Sequence, residues 1–414
     1  MSLTGALSSA ISALAAQSQA LAMVSDNISN SGTAGYKTTS ALFEQMVTAS
    51  NTGRSYTSGG VSVLSRANIT QQGLLASSSN ATDVAIQGAG FFVVKDSNGT
   101  TFFTRNGAFT PDNNGLLQND GFYLQGWRTD ASGNVIGGED PSALTTVNRE
   151  IAPVSAGATT KATIPTNLPA DAASGDTFNS SMTVYDSLGT PSSIQVTWTK
   201  TNVNNQWTAT FSDPASPSDP TVTTGTTTGG SITLNFDGTT GALTSPSPAP
   251  SLSINWNDGA GPSTIALDMS SMTQFASGEN TPALDNATIE TDGFIKGNLT
   301  NVTIGKNGVV NATYSNGQTI PIYKIAVATF SDPTGLAVNS DGMYTATGTS
   351  GNATYQLSGE GAAGTVFGSA LETSTTDTSG QFSNMISAQQ AYSAASQVIT
   401  TVNKMYDTLM SAMR

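Results

Sequence analysis

The chain has no cysteine and no histidine among its 414 residues. Without thiols there is no disulfide framework and no thiolate metal site, and without imidazole the commonest general base and commonest metal ligand are missing. An enzyme would then need a buried acid pair or another nucleophile and base, and no pattern in the sequence marks such a couple, so none is expected to be catalytic or to bind a cofactor or metal. Charge is also scarce: 10% of residues are charged, against about 25% in an ordinary soluble domain. What charge there is sums to −14, which opposes binding to nucleic acid and to anionic membrane surfaces, both of which select basic patches.

The scarcity is greatest at the two ends. No charged side chain precedes Asp26, and between Met385 and Met413 only Lys404 and Asp407 are charged. In their place Leu3, Leu7, Ala10, Leu14, Leu21, Val24 and Ile28 recur in steps of four and three with one breach at Gln17, a heptad stripe. Met385, Ala388, Tyr392, Ala395, Ile399, Val402, Tyr406, Leu409 and Met413 repeat it at the other terminus. Two helices without an ionic coat expect protein on most sides. The candidate assembly interface is therefore Leu3, Leu7, Leu14, Leu21, Val24 and Ile28 with Met385, Tyr392, Ile399, Val402, Tyr406, Leu409 and Met413. Met405 and Met410 lie beside the second stripe, and thioethers repack at little cost.

A secretory peptide needs a positive start and a continuous apolar run. Here the first basic residue is Lys37, and Ser8, Ser9, Ser12, Gln17, Ser18 and Gln19 interrupt the apolar stretch. The expectation is a segment that is neither cleaved nor inserted in a membrane.

Between the ends the texture is β. Gly32 and Gly35 punctuate the first helix, and residues 36–70 read as irregular and rich in Gly, Ser and Thr. Then VAIQGAGFFVV, TTFFTRNGAFT and GFYLQGW are short β-rich runs divided by DSNG, PDNNG and QNDG turns. Prolines 141, 153, 165 and 169 mark a shift into a second β-region holding SSMTVYDSLG, SSIQVTWTK and QWTATF, and from Ala287 the first texture resumes. One β-domain thus reads as inserted into another. QGAGFF lacks the third glycine and the helix of a dinucleotide loop, PDNNG lacks the spaced ligands of a calcium loop, and Asp186 in VYDSLG reads as a turn residue closing a strand.

At these residues the chain resembles the rod and hook proteins of the bacterial flagellum, the hook proteins above all. NISNSGTAGYKTT is similar to the Asn-rich signature after their first helix, and GAGFFVVKDSNGTTFFTRNGAFTPDNNGLLQNDGFYLQGW to a segment that both share. VYDSLGTP, DGFIKGNLTNVTIGKNGVVNATYSNGQT, ATFSDPTGL and SAQQAYSAASQVITTVNKMYDTLM follow the hook pattern in order and spacing. Two segments depart from it. Gly32, Thr33, Ala34, Gly35 and Tyr36 stand where the family usually has Asn-Thr-Thr-Gly-Phe. Leu371, Glu372, Thr373 and Ser374 lead into Thr375, Thr376 and Asp377 where it usually has Leu-Glu-x-Ser-Asn-Val-Asp.

The resemblance implies a mixed, mainly β fold: residues 1–30 and 375–414 form a coiled-coil-like inner helical domain, 31–70 and 361–374 connect, 71–145 and 286–360 form a middle β-domain, and 146–285 form an inserted outer β-domain. It implies a structural subunit, exported without a cleavable signal peptide, that polymerises outside the cell into a curved tubular joint between rod and filament and carries motor torque. Its partners would be itself, the distal rod protein, the cap, the junction proteins and the export apparatus. Another axial protein of the same assembly, distal rod or hook-associated, is the nearest alternative, and an extracellular β-rich adhesin a more distant one.

Overall fold

The computed structural model describes residues 3–46, 59–151, 155–278, 281–285, 287–339 and 342–412. Met413 and residue 286, one of the expected domain boundaries, lie outside them. The architecture is mainly β, with one long helix near each terminus.

Helix α1 spans Leu3–Ser29. It is rich in Ala and Leu and has no proline; the first proline of the chain is Pro111, so nothing breaks the ladder. It ends where Asn30 N–H returns to the Asp26 carbonyl and Gly35 takes a φ of +71°. A Cβ on Gly35 would lie 2.6 Å from the Arg105 backbone, so only glycine admits this approach. Helix α2 spans Thr378–Ala412. Asp377 caps it, its Oδ1 accepting from Ser379 N–H at 3.1 Å and its carbonyl from Gln381 N–H at 2.9 Å.

The chain separates into two compact units, residues 1–152, 301–312 and 319–414 in the first and 153–300 and 313–318 in the second. In the first, the central strands Phe91–Lys95, Thr101–Thr104, Phe122–Arg128 and Thr319–Ile325 pair antiparallel, with Phe92 opposite Thr104, Val94 opposite Leu124 and Tyr323 opposite Arg128. Phe91, Phe103, Trp127, Ala326 and Tyr344 form its core, and Phe330 stands edge-on to Phe103 at 4.9 Å and to Phe91 at 5.9 Å. Such pairs add to the area they bury. Gly88 and Gly90, both at positive φ, turn the chain ahead of the buried Phe91 and Phe92.

The described residues on either side of this span, 36–46 and 59–70, hold regular structure where an irregular stretch is expected. Thr39–Gln45 and Val61–Ala67 form an antiparallel hairpin in continuous register. Neither TSALFEQ nor VSVLSRA alternates cleanly between apolar and polar residues, and both strands are largely half-buried or exposed, so the two-residue period that marks a strand is missing from the sequence.

The second unit packs two larger sheets over one core, with the short pairs Ser155–Gly157/Phe294–Gly297 and Asn167–Pro169/Thr273–Phe275 in addition. Thr177–Tyr185, Pro191–Lys200, Gln206–Phe211 and Ser231–Phe236 pair antiparallel in one sheet. Gly225–Thr228, Ser251–Trp256 and Ser263–Asp268 lead the other. Alternate residues of both point inward, among them Val184, Ile194, Val196, Trp198, Trp207, Leu252, Ile254 and Ile265, as in packed sandwiches.

Candidate assembly interface

Helices α1 and α2 pack against each other, and α1 also packs on the Thr39–Gln45/Val61–Ala67 hairpin. The end of α1 meets the start of α2: Asn27 Nδ2 donates to Gln381 Oε1 at 3.1 Å, so the pair runs antiparallel. Asn27 is almost wholly buried and fully used. Its Nδ2 also donates to the Thr39 carbonyl at 2.8 Å, its Oδ1 accepts from Thr39 N–H at 2.9 Å and Tyr36 OH at 3.1 Å, and its carbonyl accepts from Thr376 Oγ1 at 3.0 Å. Burial, and then the nearby Asp26 charge, raise the pKa of Tyr36, so its hydroxyl stays a donor.

Along α1 the buried positions are Ala10, Ala16, Ala20, Val24 and Asn27, and along α2 Ala388, Ala395 and Val402. Small residues at the centre of a seam let helix backbones come close. Of the sequence-derived set, Val24 and Val402 are buried, and Leu3, Leu7, Leu14, Leu21, Ile28, Met385, Ile399 and Tyr406 are half-buried along the edges of the seam. Tyr392 and Leu409 are 43% and 49% exposed, and Met413 lies outside the described residues. Ile11, Phe382, Ile386, Val398, Met405 and Met410 are exposed apolar side chains on the same helices, and Leu42, Phe43 and Leu64 on the hairpin. Between the three elements runs a groove of about 460 Å³ lined by Gln17, Ala20, Met23, Val24, Phe43, Gln381 and Ala388 among others. By length and composition alone α1 could cross a membrane. In the fold its apolar stripe is laid against α2 and the hairpin.

The segments that lead out of this helical pair are pinned by a charge cluster that sequence reasoning missed. Glu372 accepts from Lys37 Nζ at 2.5 Å, from Arg105 Nη1 at 3.3 Å and from Gly73 N–H at 2.7 Å. All three charged residues are buried. Lys37 also donates to the Gln71 carbonyl at 2.5 Å and Arg105 Nη2 to the Gly88 carbonyl at 2.7 Å, while the guanidinium lies 5.3 Å from the centre of the Phe91 ring. Burial lowers the pKa of Lys37 and of Arg105, and Glu372 opposes both shifts. Burial also pushes the Tyr344 hydroxyl up to about 12, against the Arg105 charge. Strand Ala370–Glu372 pairs with Leu75–Ser77, and through Lys37 and Arg105 Glu372 ties the two segments that adjoin the helices to the β-strands of the first unit. A lone Lys in TAGYK, a lone Arg in FFTRNG and a lone Glu in ALETS are conspicuous in a chain this poor in charge; that isolation was the available signal.

Residues 7–37 match the flagella basal body rod protein family, 85–175 the flagellar hook protein FlgE/F/G D1 domain, 155–294 the flagellar basal body protein FlaE D2 domain, and 368–412 the flagellar basal body rod FlgEFG protein C-terminal family. The chain is 34% identical to the flagellar hook protein FlgE of Rhizobium meliloti, with all of both chains covered. It belongs to the flagellar hook protein family. The hook protein FlgE of Escherichia coli K12 is also 34% identical, with 98% of this chain and 99% of that one covered. The crystal structure of Helicobacter pylori hook protein FlgE2 shares the fold, with a TM-score of 0.52 at 15% identity over 72% of this chain and all of that one. The hook family is structural, and it is a family of the flagellum. Lys37 falls in the rod-protein match, Arg105 in the D1 match and Glu372 in the C-terminal match, so the cluster joins three separately recognised segments of a hook protein.

Proposed function

We propose that this chain is the repeating subunit of the flagellar hook, a curved tube outside the cell that acts as a universal joint and passes torque from rod to filament. The observation that carries the reading is the pairing of full-length likeness to hook proteins with terminal helices whose outer apolar faces are left open. Burying such faces against neighbouring copies stabilises the assembly by roughly 1.5 to 3 kcal/mol for each well-buried Leu, Ile or Met. A patch on one copy that meets a different patch on the next gives a heterologous contact, which propagates as a helix when the rotation does not close.

In this reading residues 1–30 and 375–414 line the tube, 31–70 and 361–374 are the connecting arms, 71–145 with 286–360 form the middle domain and 146–285 the outer one. The half-buried Leu3, Leu7, Leu14, Leu21 and Ile28, with Met385, Tyr392, Ile399, Tyr406, Leu409 and Met413, complete the seam between copies. Val24 and Val402 hold it within one copy. The distal rod protein, the cap, the junction proteins and the export apparatus are the further partners. Electron microscopy of the purified protein under polymerising conditions tests the function. Hollow curved tubes are expected; straight rods would favour a distal-rod role, and dispersed monomers at all concentrations would overturn the reading.

A further inference from the structure

The two terminal helices are unequal in length, and the excess is uncovered. Helix α1 has 27 residues and α2 has 35, about 40 and 52 Å at 1.5 Å per residue. They run antiparallel and are level where Asn27 meets Gln381. Followed residue for residue from that contact, Leu3 at the start of α1 comes level with Met405 of α2. Helix α2 then continues for about 10 Å past the first described residue of α1. Between residues 403 and 412 every side chain but Tyr406 is exposed.

This overhang presents one stripe, Thr401, Lys404, Met405, Thr408, Leu409 and Ala412, at the three- and four-residue spacing of a helix face. Thr401 and Thr408 spend their hydroxyls on the Gln397 and Lys404 carbonyls, each at 2.8 Å. The stripe is therefore an apolar face carrying one cation, and Asp407 lies off it. At the level end of the pair is a matching concavity: the groove of about 460 Å³ between α1, α2 and the hairpin is lined by Ala20, Met23, Val24, Phe43 and Ala388 among others. Asp26 stands exposed within one turn of Met23, and Asp377 caps α2 at the same end. Among the described residues of the two helices Lys404 is the one cation, and neither it nor Asp26 forms an ion pair there. Within one copy the two lie more than about 30 Å apart along the pair, so their charges complement each other only between copies.

An apolar protrusion at one end and an apolar groove at the other are different patches on one chain. Their contact is heterologous and propagates as an open head-to-tail row. It also continues the seam within each copy, because the overhang is α2 beyond the point where its own α1 has ended.

We propose that the overhang of α2, through Met405 and Leu409, lies in the α1–α2–hairpin groove of a second copy, with Lys404 beside Asp26 of that copy. The inference rests on the hook-subunit reading and gives the contact between subunits a direction, each helical pair entering the next. The absence of cysteine supplies the test. Met405→Cys and Met23→Cys are made as two separate variants, copolymerised and treated with a short bismaleimide. Crosslinked dimers are expected from the mixed tubes and from neither variant polymerised alone. Lys404→Asp and Asp26→Lys are each expected to raise the critical concentration for tube formation about two- to fivefold, and the double variant to restore it. Leu409→Asp should raise it at least about tenfold, with the circular dichroism of the monomer unchanged because Leu409 is exposed there. Tubes that form normally but give no mixed dimers would overturn the contact and leave the hook reading standing. Dimers from Met405→Cys alone, or a charge reversal that restores nothing, would do the same. Wild-type protein that forms no tubes would remove both.

Discussion

Glu372 and Lys37 are 335 positions apart in the chain and 2.5 Å apart in space. With Arg105 they form a cluster of two cations and one anion buried from water. Desolvation makes such a cluster a weak source of net stability, but removing the shared anion leaves two uncompensated charges inside. Glu372→Gln should therefore destabilise the first unit by about 3–5 kcal/mol. Hydrogen exchange of strands Val84–Gln87 and Thr365–Gly368 should report the loss, while strands of the second unit keep their protection. A change below about 1 kcal/mol would mean that the cluster is solvated in the working protein.

Helix α1 should respond differently to charge at different positions, according to where each side chain sits. Leu14 is half-buried at the edge of the seam, whereas Ala20 is buried at its centre. Leu14→Asp should leave the monomer folded and stop tube growth, because the face it damages is the one proposed to meet a neighbouring copy. Ala20→Asp should loosen α1 from α2 within the monomer, since an unpaired buried charge costs several kcal/mol. Circular dichroism of the monomer separates the two variants, and normal tubes from Leu14→Asp would remove that residue from the interface.

The heptad period made the helical seams legible, because apolar spacing alone reports a helix face. It placed Ala10 on the stripe but not Ala16 or Ala20, which are also buried, and it did not reveal that Leu14 and Leu21 are only half-buried. The hairpin that packs on α1 contributes to that choice, and it was not legible because its strands carry no clean two-residue alternation. The charge cluster was unreadable for another reason: Lys37, Arg105 and Glu372 become neighbours only through the sheet pairing of Leu75–Ser77 with Ala370–Glu372 and the approach of Gly35 to Arg105. Turns such as that of Asp186 were legible because Asp before Gly states its local chemistry.

Acid should weaken the second unit through its turn aspartates. Asp268 is held at about 2, first by the Ser270 hydroxyl and then by Lys161, and Ser/Thr hydroxyls and backbone N–H groups also hold Asp219 and Asp237 below the ordinary carboxylate range. Their folded-state pKa lies under the unfolded value of about 3.9, so the folded protein binds fewer protons and the stabilisation is complete above that pH. It is lost as pH falls through about 2. Tryptophan fluorescence during titration from pH 5 to 1.5 should show the transition, and Ser270→Ala should move its midpoint to higher pH. An unmoved midpoint would assign the acid sensitivity to other groups.

Removing the second unit separates tube building from bending. The chain leaves the first unit after residue 152 and re-enters it at residue 301, so residues 153–300 can be replaced by a short Gly/Ser linker. Residues 313–318 cluster with the second unit, and a two-residue Asn-Gly turn can join residues 309–312 to the strand Thr319–Ile325 in their place. The helical seam, the hairpin and the Lys37–Glu372–Arg105 cluster all lie in the part retained, so the shortened protein should still polymerise. If contacts between second units of neighbouring copies bias the lattice among packings of nearly equal energy, their removal shifts that balance by the differential contact energy alone. The tubes should then be straighter than those of the full-length chain under the same conditions. Electron microscopy reads both results: unchanged curvature would exclude the second unit from bending, and a failure to form tubes would show that assembly depends on more than the terminal helices and the first β-unit.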